Sequence, residues 1–378
     1  MLKILVYDTN FVKGISRVIP ITKIRYWQKH NCKISIFCTK EGEDFYKLEL
    51  KDIDFITVDY HYTFKNVYWL IWDVIRVNVK AFKKISKITG KFNVVYSQSS
   101  VIDFVFIPWI LKIVDKNIKW FVMVDNIVPP PQQRPGSLFK KFIPYLAFKL
   151  GNLLLRKADG IFVVTNFLEK YFKNLGMKNV VKTNNGYGIQ TEIFQGVISN
   201  ETSKVDALYC GRIHLAKGIM DLVEVTKLVV KKKPDFKTGI LGDGDTVTKK
   251  TFYEKIKHYG LKNNFLNFGY IAGKEKGDIY RKSDFFLFLS YDEGCPHAVI
   301  EAFACNKPVI AYDLSIYHEV FAKYIDSGQL SLFKIGDYEG IASYILNTDF
   351  KKKNFNNKLK DYGWEIICQR ELEVMRNE

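Results

Sequence analysis

The sequence predicts an α/β protein made of two doubly wound domains. Three observations carry this expectation. Short apolar runs alternate with longer helical stretches along the chain. The 378 residues exceed one ordinary domain and suit two of roughly 180–200 each. Several of the apolar runs lack polar alternation, as expected of strands buried on both faces of a parallel sheet.

In the first half, residues 4–7, 33–38, 92–96, 119–124, 160–164 and 180–183 read as strands separated by basic helical stretches. After the first strand, DTNFVKGISRVI gives a loop and a helix opening near Gly14, with Lys13 beside it. Backbone at Gly14 is able to approach a diphosphate or an acceptor; the alternative is a plain βα turn. FVMVDNIVPPP sets Asp125 and Asn126 at the end of a buried strand, on the same side as Gly14. Residues 138–156 form a lysine- and aromatic-rich amphipathic run. Such a helix either lies on a membrane interface or packs on the core with its lysines solvated. The polar stretch 195–203 reads as a linker. The expected domains are 1–198, completed by a C-terminal helix over 361–378, and 199–360.

The second half opens with VDALYCGRIHLAKGIMDLVEV, in which a strand ends at Cys210. Arg212 follows, then Lys217-Gly218 and a helix. Arginine supplies a planar fork of donors for phosphate oxygens and lysine a compact charge. FKTGILGDGD ends the next strand at Asp243-Gly-Asp245. That spacing invites a metal reading, but it sits within a glycine-rich turn, and no metal site is expected there. LNFGYIAG then exposes Tyr270 after a strand.

Residues 284–313, DFFLFLSYDEGCPHAVIEAFACNKPVIAYD, read strand, loop, helix, strand. Pro296 suits the first helical position, where its missing N–H costs nothing. Glu293 stands in the loop and Glu301 about a turn and a half into the helix. Two acids and a helix N-terminus thus face the crevice where open α/β sheets bind ligands. Helix-start N–H groups attract phosphate, and a carboxylate within the helix accepts two hydrogen bonds from a ribose diol.

The net charge of +17 is uneven. Residues 1–200 carry 30 Lys and Arg against 15 Asp and Glu; residues 201–378 carry 27 against 25. The first half therefore attracts phosphate-rich partners, an anionic membrane surface among them, while no nucleic-acid module accompanies the charge. Six scattered cysteines without a CxxC pair argue against zinc and for reduced cytosolic thiols. No run of 18 uninterrupted apolar residues exists, and MLKILVYD enters a strand without a signal-peptide pattern. A cytoplasmic protein, peripheral on the inner membrane face, is the expectation.

EGCPHAVIEAFACNKPVIAYD resembles the E-x7-E signature of glycosyltransferase family 4, the retaining nucleotide-sugar transferases of GT-B fold. GRIHLAKG resembles that family's Gly-Arg…Lys-Gly diphosphate element, and KADGIFVVT and NNGYGIQTEIF resemble further strand ends of its fold. Trp364 matches the aromatic where the final helix crosses back to the N-terminal domain. The resemblance implies two Rossmann-like domains facing each other across a cleft. It implies a UDP- or GDP-sugar donor, a glycan or lipid-linked acceptor, and no metal or other cofactor. Glu301 would hold ribose, Arg212 and Lys217 the diphosphate, and the backbone at Tyr270 the base. Glu293, Gly294, Cys295 and Pro296 would hold the sugar, with His297 a departure bearing on donor choice. Asp125 stands where the family usually has histidine, and it either serves the sugar and acceptor or caps the turn before the prolines. Catalysis would thus fall to Glu293 and Asp125. A nucleotide-sugar epimerase and a non-catalytic partner subunit are the rival readings.

Overall fold

A computed structural model describes residues 1–9, 18–62, 67–133, 138–183, 188–194, 204–353, 355, 357–358 and 362–377. The chain divides into two compact units, Met1–Gly186 with Trp364–Glu378, and Tyr187–Gly363. The division falls earlier than the expected linker, and 195–203 lies outside the described residues. The reason is packing: Ile189 donates its N–H to the Tyr362 carbonyl, and the Phe194 ring meets Tyr280 edge-on at 5.7 Å. Residues 188–194 are thereby held to the second unit.

The first unit runs β1 (Leu2–Asp8), α1 (Val18–Lys29), β2 (Cys32–Thr39), α2 (Lys40–Glu49), β3 (Asp54–Val58), α3 (Val67–Phe82) and β4 (Val94–Ser97). It continues through α4 (Ile102–Val114), β5 (Lys119–Val124), α5 (Leu138–Leu154), β6 (Gly160–Val163), α6 (Asn166–Asn174) and β7 (Val180–Lys182). The strands form one parallel sheet in the order β3-β2-β1-β4-β5-β6-β7. The central strands are buried along nearly their whole length, which explains their unbroken apolar runs. Strand β3 was not apparent in the sequence, because DFITV sits at the sheet edge and only Val58 is fully buried.

The second unit runs β8 (Val205–Cys210), α7 (Ile219–Val230), β9 (Thr238–Leu241), α8 (Thr246–His258), β10 (Phe265–Gly269), α9 (Gly273–Lys282) and β11 (Ser283–Phe288). Then come α10 (His297–Ala304), β12 (Val309–Tyr312), α11 (Ser315–Val320), α12 (Ala322–Asp326), β13 (Leu330–Phe333) and α13 (Tyr338–Asn347). Its parallel sheet has the order β10-β9-β8-β11-β12-β13. From β8 the chain first builds outward through β9 and β10, then returns to place β11 on the other side of β8. The switch point lies between β8 and β11.

The last helix, α14 (Glu365–Asn377), belongs to the first unit and packs on α1. Its anchor is ionic. Lys23 Nζ of α1 lies 2.6 Å from Glu371 Oε1 and 2.7 Å from the Tyr96 hydroxyl, with both charged side chains out of water. Trp364, just ahead of α14, is buried.

Candidate functional site

The loops after β8 and β11 meet at the switch point, where open parallel sheets bind ligands. The Tyr291 N–H donates to the Ala216 carbonyl at 3.0 Å. Lys217 Nζ lies 2.6 Å from Glu293 Oε1. Gly218 makes this approach feasible: its φ is 65°, and an added Cβ would collide with the Leu289 carbonyl oxygen. The β9 loop joins through Ile213 N–H donating to the Asp243 carbonyl at 2.9 Å. A Cβ on Gly242 would strike the Gly211 carbonyl, so the glycine-rich turn read in the sequence is a close backbone packing.

The structure brings most of the sequence-derived residues together within the second unit. Arg212 is exposed directly beyond β8, and among the described residues its guanidinium makes no ion pair. Tyr270, 73% exposed, follows β10. Gly294 and the buried Cys295 complete the loop into α10. Pro296 is one residue earlier in the helix than expected. With φ −75° and ψ 107° it caps α10, and His297 is the first helical residue. The proline ring sets φ but leaves ψ extended.

Glu301 sits in α10 and is buried, with both carboxylate oxygens engaged. Oε1 accepts from Lys276 Nζ at 2.5 Å and Oε2 from the Tyr280 hydroxyl at 2.8 Å. Sequence reading missed both partners. They stand four residues apart on α9, the spacing that places two side chains on one helical face, and that was the available signal. Burial alone would lower the Lys276 ammonium, but the neighbouring Cys210 and Glu301 outweigh it and hold it above its ordinary range. Burial, with the Lys276 charge adding to it, lowers the His297 imidazole to about 4.

A second missed group supports the loop from behind. The buried Asp221 of α7 accepts from three tyrosines: Tyr291 at 2.5 Å, Tyr312 at 2.6 Å and Tyr338 at 3.2 Å. Tyr291 precedes Glu293 by two residues, so this carboxylate fixes the loop that presents Glu293. A buried acid satisfied by hydroxyls leaves no pattern in the sequence.

Asp243 and Asp245 have local duties. Asp243 lies 2.7 Å from Lys249 Nζ, and Asp245 caps α8 by accepting from Thr248 N–H at 2.9 Å. Among the described residues no group of three or more His, Cys, Asp or Glu is arranged to hold a metal ion. Asp125 belongs to the first unit and is exposed immediately after β5. Gly14 lies outside the described residues, as do Asn184–Gly186.

Taken together, the second unit sets basic groups, a helix start and a buried helical carboxylate at its switch point, where open parallel sheets bind ligands. Residues 190–363 match the family model described as glycosyl transferases group 1, so the second unit is similar to that family. An uncharacterized glycosyltransferase of Methanocaldococcus jannaschii is 32% identical over 227 residues, covering 57% of this chain and 52% of the relative. The chain spans about half the length of the curated relatives it matches first. Among solved structures, sucrose-phosphate synthase from Thermosynechococcus elongatus aligns with a TM-score of 0.76 at 15% identity, covering 100% of this chain and 99% of that one. The Anabaena protein HepE in complex with UDP-glucose aligns with a TM-score of 0.67 at 14% identity, covering 100% and 98%. The fold is therefore GT-B, two Rossmann-like α/β domains.

Proposed function

We propose that the chain is a retaining glycosyltransferase that moves a hexosyl unit from a nucleoside-diphosphate sugar to a hydroxyl of a glycan or lipid-linked acceptor. One observation carries the reading: Arg212, Lys217, Glu293 and the start of α10 converge at the β8–β11 switch point, with Glu301 inside the same helix. The HepE neighbour, whose structure holds UDP-glucose, supports a nucleotide-sugar donor, a UDP- or GDP-sugar.

On this reading Glu301 receives the ribose diol and Tyr270 lies beside the base. The diphosphate takes Arg212, the helix start and the Lys217 ammonium, which in the free chain is shared with Glu293. Negative charge grows on the leaving diphosphate as the glycosidic bond breaks, and these groups stabilise it without a divalent ion. Releasing Lys217 frees Glu293 to accept from sugar hydroxyls rather than to attack the anomeric carbon. The acceptor hydroxyl then approaches on the face that the diphosphate leaves, and its proton passes to a phosphate oxygen. Retention follows without the covalent intermediate of a double displacement.

The test is NMR of the product's anomeric proton after transfer from an α-linked UDP-sugar, with and without EDTA. An α-linked product formed equally in EDTA is expected, and Asp125→Asn should slow turnover without accumulating a glycosyl-enzyme. A β-linked product would overturn the mechanism. Activity lost in EDTA and restored by manganese would overturn metal independence.

A further inference from the structure

The first unit carries an apolar surface that the glycosyl-transfer site does not use. In a right-handed doubly wound sheet, the connections that cross β1 towards β4, β5 and β6 lie on one face. Helices α3, α4 and α5 accordingly share a layer, with α4 packed against both neighbours. The outer side of that layer is unusually apolar. On α3, Trp72, Ile75, Val79 and Phe82 form one helical stripe, with Trp72 and Phe82 each 56% exposed. On α5, Phe142, Leu146, Leu150 and Leu153 form another, with Leu146 58% exposed. The opposite side of each helix faces the core through residues such as Val77, Ala81 and Phe148. Single exposed apolar side chains need no explanation, but two stripes on the helices that flank α4 do.

Charge selects the occupant. Helix α5, LFKKFIPYLAFKLGNLL, contains lysines and no acid. In α3 and α4 the acids are Asp73 and Asp103, and both are buried. Outward-facing ionisable groups include Arg76, Lys80 and Lys83 beside the first stripe, and Lys141 and Lys149 beside the second. A second copy of this layer would bring like charges together. A surface that is apolar inside and anionic at its rim matches both features. No helix among the described residues is long and apolar enough to cross a membrane, so this is a surface contact. We infer that the α3–α5 layer docks on an anionic lipid bilayer, its two apolar stripes entering the headgroup boundary and its lysines and arginine meeting lipid phosphates.

The inference is independent of the donor site and is tested on the full chain with vesicles of phosphatidylglycerol and phosphatidylcholine against phosphatidylcholine alone. Co-sedimentation is expected with the anionic vesicles at low salt, weakening as salt screens the attraction. The pairs Leu146→Glu with Leu150→Glu, and Trp72→Glu with Val79→Glu, should each reduce binding by about tenfold or more. Near-UV circular dichroism and UDP binding of these variants should match wild type. Equal sedimentation with neutral vesicles, no sedimentation, or variants that bind as wild type would overturn the inference. So would a concentration-dependent dimer, seen by light scattering and broken by the same substitutions, which would assign the face to a second copy of the chain.

Discussion

Glu301 shows how the free site is held ready. Its carboxylate is buried and satisfied by Lys276 and Tyr280, and on the proposed function a ribose diol would share it. Glu301→Gln should weaken donor binding by about 1.5–3 kcal/mol, the scale of a charge-assisted hydrogen bond, and Arg212→Ala by a similar amount; calorimetric titration measures both. His297 supplies a pH test. Its folded value of about 4 lies below its ordinary one, so the imidazole is neutral at physiological pH. The unfolded chain takes up this proton first, so stability contributed by the neutral ring falls as pH drops from about 6.5 towards 4. NMR titration should show the His297 ring unchanged between pH 8 and 5.5; a midpoint near 6.5 would contradict the lowered value. Arg212, Lys217, Glu293 and Glu301 could be proposed from the sequence because their residue types and order follow the chain. Lys276 and Asp221 could not, since their roles arise from burial beside residues distant in sequence.

At the scale of elements, the site depends on how closely two βα loops approach. Gly218 combines a left-handed backbone with contact to the Leu289 carbonyl. Gly218→Ala should destabilise the chain by at least about 2 kcal/mol and lower donor affinity with it. Urea denaturation gives the first quantity, and unchanged stability would show that the loops can part. Strands β1, β4, β5 and β6 were readable because burial on both faces leaves continuous apolar runs. Strand β3 escaped notice because an edge strand is half-exposed and its composition is mixed. The lysine-rich α5 was legible as amphipathic, yet its apolar stripe proves to be turned outward. Periodicity identifies two faces of a helix without saying which one the core takes.

For the molecule as a whole, the chain's end is fastened to its beginning. The buried Lys23–Glu371 pair ties α14 to α1, and Tyr96 completes it. Burial raises the Glu371 carboxyl above its usual range even beside the Lys23 ammonium. Glu371→Ala strands that ammonium and should cost about 3–5 kcal/mol, whereas Lys23→Met with Glu371→Leu should cost far less. Equal losses in thermal denaturation would refute the pairing. The two-domain division followed from length and alternation, while its position did not, because Ile189 and Phe194 join the second unit through contacts with Gly363's neighbour Tyr362 and with Tyr280. The central claim, that the second unit's switch point holds a nucleotide-sugar diphosphate, is tested most directly by calorimetric titration of UDP-glucose and GDP-mannose into wild type, Arg212→Ala, Lys217→Ala and Glu301→Gln. Saturable binding of one donor to wild type, weakened by about tenfold or more in each folded variant, is the predicted result; donor binding that all three substitutions leave unchanged would contradict it.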